Sequence, residues 1–461
     1  MVKRWFQKIP HAVTLLFFII LLVSVLTYIL PAGSYEREIV DGRSRVVPGS
    51  YHLIEASPVN LLDVFKSIPL GFKNAVEIIF IVLAGAIMFG ILEKSRAVEE
   101  AVGSLINRLG TDRKHLIIVL MTFVYGLLGV AVGYENNIAM VPIAAVLSLA
   151  LGGDLILAAG ISVGAMTIGF GLSPINPYTV GTGHKIAELP MFSGAVLRSI
   201  LCFAGLSIMA MYNVRYFKKI KKNPESSLGK GLNIDGIQLS KPINEYVVTS
   251  RNAIILSIFV IGLILCLYGV FVHGWYINEL SSVFLMIALL CGIVAGMNAT
   301  TISENVLKSI AFAAPGAFMV GYAASIKVLM EMGGISDTIS HNLAEALQGL
   351  PTYISGVGMA ITQSVTNFFI PSGSGQALAT LPVMLPLGEV LGLTRQTTIL
   401  AFQVGDGLSN LVNPTLGGLI AMLGMCRVPL DRWLKFIFPL TIILFIIAAM
   451  ALIVAVAIGY Q

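Results

Sequence analysis

The sequence predicts an all-α polytopic membrane protein built as an inverted repeat, with two re-entrant hairpins and two broken transmembrane helices. Composition is the first reason. Of 461 residues, 56% are hydrophobic and only 11% are charged, where a soluble domain carries about 25% charged residues. Mean hydropathy is +0.88. The second reason is a set of apolar runs long enough to cross a bilayer. The third is a pair of apolar regions, 115–190 and 352–427, punctured by Gly, Pro, Asn and Ser in matching order. Together these exclude a cytosolic enzyme, a nucleic-acid-binding module and a disordered scaffold.

A span needs about 17–25 apolar residues. Seven runs qualify: 11–31, 75–93, 192–214, 252–272, 280–299, 310–332 and 433–458. The first ends in Pro31-Ala32-Gly33 without a small-x-small cleavage site, so it reads as a retained signal anchor. Residues 32–60 form a polar external loop of mixed charge. The net charge of +5 concerns loop orientation and calls for no acidic partner.

Lys3, Arg4 and Lys8 place the N-terminus in the cytoplasm. The basic stretch Arg215–Lys222 and the set Arg427, Arg432 and Lys435 are then both cytoplasmic only if 115–152 and 352–390 each enter and leave on one side. Their limbs are short, which favours hairpins over full crossings. The C-terminus then lies outside.

The expected division is 1–60, signal-anchor span and external loop; 61–214, first repeat, with hairpin 115–152 and broken helix 153–190; 215–250, cytoplasmic linker; 251–299, two spans; and 300–461, second repeat, with hairpin 352–390 and broken helix 394–427. Gly169-Phe-Gly-Leu-Ser173, then Asn176-Pro177 and Thr179, matches Gly405-Asp-Gly-Leu-Ser409, then Asn413-Pro414 and Thr415, at an offset of 236 residues. Ile91-Leu-Glu93 matches Leu329-Met-Glu331, and Ala139–Pro142 matches Ala379–Pro382, at nearly the same offset. Each Glu is followed by an amphipathic stretch of about 15 residues, an interfacial helix. The orientation argument makes the two copies opposite, the architecture of secondary transporters.

The four punctures define the candidate substrate site. The hairpin tips supply Glu135, Asn136 and Asn137 after Gly133-Tyr134, and Asn367, Ser372, Gly373, Ser374 and Gln376. The broken helices supply Ser173, Asn176, Tyr178 and Thr179, and Asp406, Ser409, Asn410, Asn413 and Thr415. Proline removes a backbone donor and opens the helix before it. Free amides and carbonyls in hydrocarbon cost several kcal/mol each unless a ligand, ion or water satisfies them. One Asn-Pro alone is more often a simple kink; four punctures in matched pairs point to a site.

Glu135 and Asp406 sit in these motifs and no Lys or Arg does. Buried acids at membrane depth suggest a cation: a substrate ammonium or guanidinium, a proton or sodium. Lys327, in the 310–332 span, is the alternative salt-bridge partner for either acid. Glu77 is expected to snorkel, and His184 and Lys185 to line the outer mouth or meet headgroups. Cys202, Cys266, Cys291 and Cys426 stand singly in apolar stretches as small buried hydrophobes. The six histidines are scattered, with no HExxH or GxSxG, so no enzyme, metal site or cofactor is expected.

Over residues 1–460 the chain resembles YfcC-type members of the four-carbon-dicarboxylate anaerobic carrier (DcuC) family, within the ion transporter superfamily. The resemblance rests on Gly133-Tyr-Glu-Asn-Asn137, Gly171-Leu-Ser-Pro-Ile-Asn-Pro-Tyr-Thr179, Asn367-Phe-Phe-Ile-Pro-Ser-Gly-Ser-Gly-Gln376 and Gly405-Asp-Gly-Leu-Ser-Asn-Leu-Val-Asn-Pro-Thr415. It implies the inverted-repeat ion-transporter-superfamily fold and a homodimer in which a scaffold carries an elevator-like transport domain. Its relatives include arginine/ornithine-type antiporters and, more distantly, dicarboxylate carriers. The latter commonly carry Ser-Asn-Thr at these tips, and Glu135-Asn136-Asn137 departs from that pattern.

The leading expectation is therefore a secondary transporter for a basic or zwitterionic amino acid, by exchange or ion coupling. The alternative is a sodium- or proton-coupled carrier of organic anions, with the two acids binding the cation. Membrane lipids are the expected surroundings, and no nucleic-acid partner is expected.

Overall fold

The structure, a computed structural model, describes residues 12–40, 43–47, 49–109, 113–132, 135–237, 245–275 and 277–461. Helix α1 (Ala12–Ile29) leads into four short strands, β1 (Gly33–Ser34), β2 (Arg37–Val40), β3 (Arg43–Val46) and β4 (His52–Leu53). Then follow α2 (Leu61–Asn74), α3 (Val76–Ser95), α4 (Ala97–Leu109), α5 (Lys114–Val132), a 3-10 turn over Glu135–Met140 and α6 (Val141–Ala150). Helix α7 (Leu155–Gly171) contains a π turn at Gly160–Gly164. A second π turn, Pro177–Gly181, opens α8 (Thr182–Ile186). The long helices α9 (Ala195–Lys222), α10 (Ser250–His273), α11 (Ile277–Val294) and α12 (Ala299–Met332) come next. The chain closes with α13 (Ser336–Glu345), α14 (Thr352–Phe369), α15 (Gly373–Val390), α16 (Arg395–Ser409), α17 (Gly417–Met425) and α18 (Leu430–Ala457).

Among the described residues six helices are long and apolar enough to span: Val76–Ser95, Ala195–Lys222, Ser250–Val270, Ile277–Val294, Ala299–Met332 and Leu430–Ala457. They match six of the seven expected runs; α1 represents the first. Their outward residues, such as Phe203, Ile261, Ile264 and Ile446, are exposed apolar side chains facing lipid. The polypeptide is thus a polytopic α-helical membrane protein with extensive helix–helix packing.

The loop between α1 and α2 adds two short strand pairs to this α-helical fold. β1 pairs antiparallel with β4, and β2 with β3 in the register Arg37↔Val46 to Val40↔Arg43. The loop is tied down by Gly33 N donating to Gly334 O (2.9 Å) and Tyr35 N to Asp337 Oδ2 (2.9 Å), so it sits at the α12–α13 turn. Burial and the neighbouring Asp337 carboxylate hold the Tyr35 phenol well above its ordinary range.

Helix starts follow ordinary capping chemistry: Asn60, Thr249, Asn298, Ser372 and Thr394 each accept a backbone N–H of their helix's first turn. Helix α12 is the axis of one packing group, against α1, α2, α3 and α17. It runs antiparallel to α3, since Gly90 near the end of α3 faces Ser309 near the start of α12. A second group contains α5, α7 and α9 together with α14, α16 and α18, joined where α7 crosses α16.

Arg432 donates to Leu228 O (3.0 Å) and Arg427 to Asp235 O (2.7 Å), both in the segment after α9.

Candidate functional site

Glycine at matched positions brings the two interrupted helices into contact. A Cβ on Gly407 would lie 2.0 Å from Gly171 Cα, and one on Gly171 2.7 Å from Gly407 C. Only hydrogen fits at this crossing. Two residues earlier in each helix, Gly169 abuts Gly126 O on α5 and Gly405 abuts Ala360 O on α14. Each interrupted helix therefore packs on the helix that precedes its own puncture.

Past Gly171 the chain leaves the helix. Ser173 Oγ donates to Val130 O (3.0 Å). Asn176 Oδ1 accepts from Tyr178 N (2.9 Å) and Thr179 N (3.1 Å), so Asn-Pro acts as N-cap plus N1 proline for the second piece. The second break holds a turn with the same residue types, although α17 itself starts after Leu416 with no side-chain cap. Asn413 Oδ1 accepts from Thr415 N (3.0 Å), and Asn413 Nδ2 donates to Asn367 O (2.9 Å). Thr415 Oγ1 donates to Phe368 O (2.7 Å). Asn367 Nδ2 in turn faces Asp406 O (3.0 Å), Ser409 Oγ (2.7 Å) and Asn410 Oδ1 (2.6 Å). One puncture is thus stitched to the other side chain by side chain.

Gly373, at the start of α15, joins both breaks. A Cβ there would lie 2.8 Å from Thr179 Cγ2, 3.3 Å from Phe170 Cζ and 3.4 Å from Asp406 Oδ2. Asp406, Asn176, Asn367, Asn410, Asn413, Ser409, Ser173, Thr179 and Thr415 are buried; Tyr178, Gly373 and Ser374 are half-buried, and Ser372 is exposed. Asn176 Nδ2 and Asn367 Oδ1 are buried without a hydrogen-bond partner. A buried orphan donor and a buried orphan acceptor beside a carboxylate form a polar site inside apolar packing.

Other predicted residues sit apart or differently. Asn137 is buried in the turn after α5, donates to Leu128 O (3.1 Å) and lines a 30 Å³ cavity with Cys266 and Phe284. That turn packs on α3 and α17. Gly133 and Tyr134, and the side chains of Glu135 and Asn136, lie outside the described residues. Gln376 is buried between α14 and α15, its Nε2 held by Gln363 O (2.8 Å). Lys327 pairs with Glu331 (3.5 Å), one turn along its own helix. Glu77 is exposed and accepts from Asn278 (3.0 Å).

His184 contradicts its expected place at the mouth. It is fully buried, accepting from Phe192 N at Nδ1 (2.8 Å) and donating through Nε2 to Gln396 Oε1 (3.2 Å). Gln396 also accepts from Arg198 Nη1 (3.0 Å), and Arg198 Nε donates to Gln403 Oε1 (3.0 Å). Reading the punctures alone misses this buried arginine. An arginine inside an apolar span is itself the signal that could have found it.

A cavity of about 670 Å³ opens on the face of the Arg427–Asp235 contact, lined by Glu93, Lys94, Arg96, Lys308, Pro142 and Met425 among others. It lies apart from the breaks.

The profile of the C4-dicarboxylate anaerobic carrier family, DcuC, matches residues 9–457. The chain belongs to that family. It is 30% identical over 499 aligned positions to YfcC of Escherichia coli (strain K12), provisionally named a basic amino acid antiporter, covering 100% of this chain and 98% of that protein. It is 25% identical over 503 positions to an uncharacterised Haemophilus influenzae protein, covering 99% and 98%. Among solved structures it is similar to the YdaH transporter of Alcanivorax borkumensis, at 16% identity and a TM-score of 0.46, covering 98% of this chain and 99% of that chain. MtrF of Neisseria gonorrhoeae, described within a class of antimetabolite efflux pumps, gives 17% identity and a TM-score of 0.44, covering 99% and 97%. As a DcuC-family member, the chain is a secondary transporter of small polar or charged solutes in the bacterial inner membrane, not an enzyme.

Proposed function

We propose that this DcuC-family carrier moves a small organic anion, a dicarboxylate or short-chain carboxylate, coupled to a cation. The observation that carries this reading is the pair of orphan atoms at the breaks, Asn176 Nδ2 and Asn367 Oδ1. The first is a donor suited to a carboxylate oxygen. The second is an acceptor suited, with Asp406, to sodium or a proton donor. The N-terminal end of the 18-residue helix α15, at Gly373, adds a favourable field for negative charge. The description of the matched family, a C4-dicarboxylate carrier, supports the same class.

In this reading 61–214 and 300–461 are inverted repeats whose hairpins, 115–152 and 352–390, dip into the membrane from opposite sides. The antiparallel course of α3 and α12 supports that relation, because these helices carry the matched Glu93 and Glu331 motifs. The shared face of Arg427, Arg432 and the segment after α9 supports a cytoplasmic linker at 215–250, with the N-terminus inside and the C-terminus outside. The breaks and hairpins then move as an elevator against α3, α10, α11 and α12, in a homodimer.

A second reading, exchange of a basic amino acid, is favoured by Glu135 and Asp406 in the punctures and by the name of the Escherichia coli relative. Competition in proteoliposomes separates the two. With labelled succinate outside, unlabelled succinate and butyrate should reduce its uptake, while arginine, ornithine and citrulline should not. Competition by the amino acids alone, using a labelled amino acid, would replace this proposal with the second reading.

A further inference from the structure

A fully buried guanidinium normally has a carboxylate beside it, because leaving one charge uncompensated in a low-dielectric interior costs several kcal/mol. Arg198, on α9, is fully buried. Among the described residues no carboxylate lies within ion-pair distance of it. Its partners are all neutral: Gln403 Oε1 on Nε (3.0 Å), Gln396 Oε1 and Ser193 O on Nη1 (3.0 Å each), and the Tyr460 ring 5.6 Å away. Nη2 has no hydrogen-bond partner.

The unmatched atom has a meaning in guanidinium geometry. Nε and Nη2 form one edge of the planar group, the edge whose two parallel N–H bonds fit the two oxygens of a carboxylate. Here a single amide oxygen, Gln403 Oε1, occupies half of it. Gln403 cannot turn its nitrogen toward Arg198, since its Nε2 donates to Ser173 O (2.6 Å) at the first break. Gln403 lies three residues before Asp406 on α16. Its side chain bridges the arginine and the first break. On the other flank lies the Tyr460 ring, its hydroxyl donating to Gly194 O.

The geometry points to Arg198 as the residue that recognises the carboxylate of the transported anion, with the Gln403 side chain occupying that position until substrate displaces it. This rests on the organic-anion reading above and names the residue that selects for it. The incoming carboxylate would take Nε and Nη2 together, supplying the charge that the protein omits. The freed Gln403 would remain near Ser173.

Equilibrium binding of labelled succinate to the purified full chain tests this in four forms: wild type, Arg198→Gln, Arg198→Lys and Gln403→Glu. Arg198→Gln should weaken binding by about tenfold or more, with Arg198→Lys intermediate because it keeps the charge but not the fork. Gln403→Glu should raise the Tm and weaken succinate binding, because its own carboxylate fills the edge. Wild-type affinity in a folded Arg198→Gln, or in a stabilised Gln403→Glu, would overturn the assignment. Should Arg198→Gln fail to fold, the other two variants decide it. Binding of arginine or ornithine but of no organic anion by the wild type would instead overturn the underlying reading, and the assignment with it.

Discussion

Gly171 and Gly407, 236 residues apart in the chain and at matching positions of the sequence repeat, touch backbone to backbone where α7 crosses α16. Everything proposed about the site depends on this crossing, because it sets the Ser173–Thr179 break beside the Asp406–Thr415 break. A side chain at either glycine has no flexible neighbour to push aside; it meets main chain.

Gly407→Ala should therefore destabilise the protein by about 1–3 kcal/mol and reduce transport further than stability alone explains. Gly424→Ala is the matched control, since a Cβ there would lie 3.6 Å from Gly316 Cα, an ordinary contact. Thermal melts of the detergent-purified variants, beside uptake in proteoliposomes, check both.

Asn176 uses its oxygen as a helix cap and leaves its nitrogen unmatched. Asn176→Asp keeps the capping oxygen and replaces the orphan donor with negative charge. The expected outcome is a folded protein whose affinity for succinate falls by about tenfold or more, which is about 1.4 kcal/mol. Asn176→Ala should lose about 1 kcal/mol of stability through the missing cap. Binding and melting curves on the two variants distinguish these effects.

Asp406 is a buried carboxylate beside the α15 N-terminus, its Oδ2 3.4 Å from where a Cβ on Gly373 would lie. Asp406→Asn keeps the shape and removes the charge, so the carrier should still fold and should lose accumulation driven by a sodium or proton gradient. Uptake with each gradient imposed in turn checks this, and also names the coupling ion. Accumulation at the wild-type rate in both gradients would remove Asp406 from the coupling role.

At the loop between α1 and α2, Asp337 accepts from Tyr35 N (2.9 Å) and Arg37 Nη2 (2.8 Å), with its own side chain 11% exposed and that of Arg37 43% exposed. Asp337→Ala leaves a buried backbone donor unmatched and should cost about 1–3 kcal/mol. Arg37→Ala removes only a half-exposed ion pair and should cost less than about 1 kcal/mol. Limited proteolysis of the loop, followed over time, should rank the two variants in that order.

The parts of this architecture that depend on repeated local chemistry were legible in the sequence. Asn176-Pro177 and Asn413-Pro414 announce helix breaks because proline cannot continue the helix before it, and Asn176 also caps the piece that follows. The spans were legible from apolar length. The β ladders were not, although Arg37–Val40 and Arg43–Val46 flank Asp41-Gly42, a dipeptide with hairpin propensity; in a polar loop beside long apolar runs the short alternation carries little weight. Arg198 and His184 were missed or misplaced for another reason. Hydropathy averages a single charge away within a long span, and only the three-dimensional pairing with Gln396 and Gln403 reveals where each side chain points. Lys327 shows the converse: a charge that looked central in the sequence is used up by Glu331 on its own helix.

The central claim is that the two breaks form one solute site, and a double-mutant cycle on succinate binding tests it most directly. Measured separately, Asn176→Asp and Asp406→Asn each change the affinity; combined, one site predicts non-additivity. The neutralised Asp406 should offset part of the charge introduced at position 176, giving a coupling energy of about 0.5–3 kcal/mol. Affinity changes that simply add, within about 0.3–0.5 kcal/mol, would show two independent places in the protein and contradict the account.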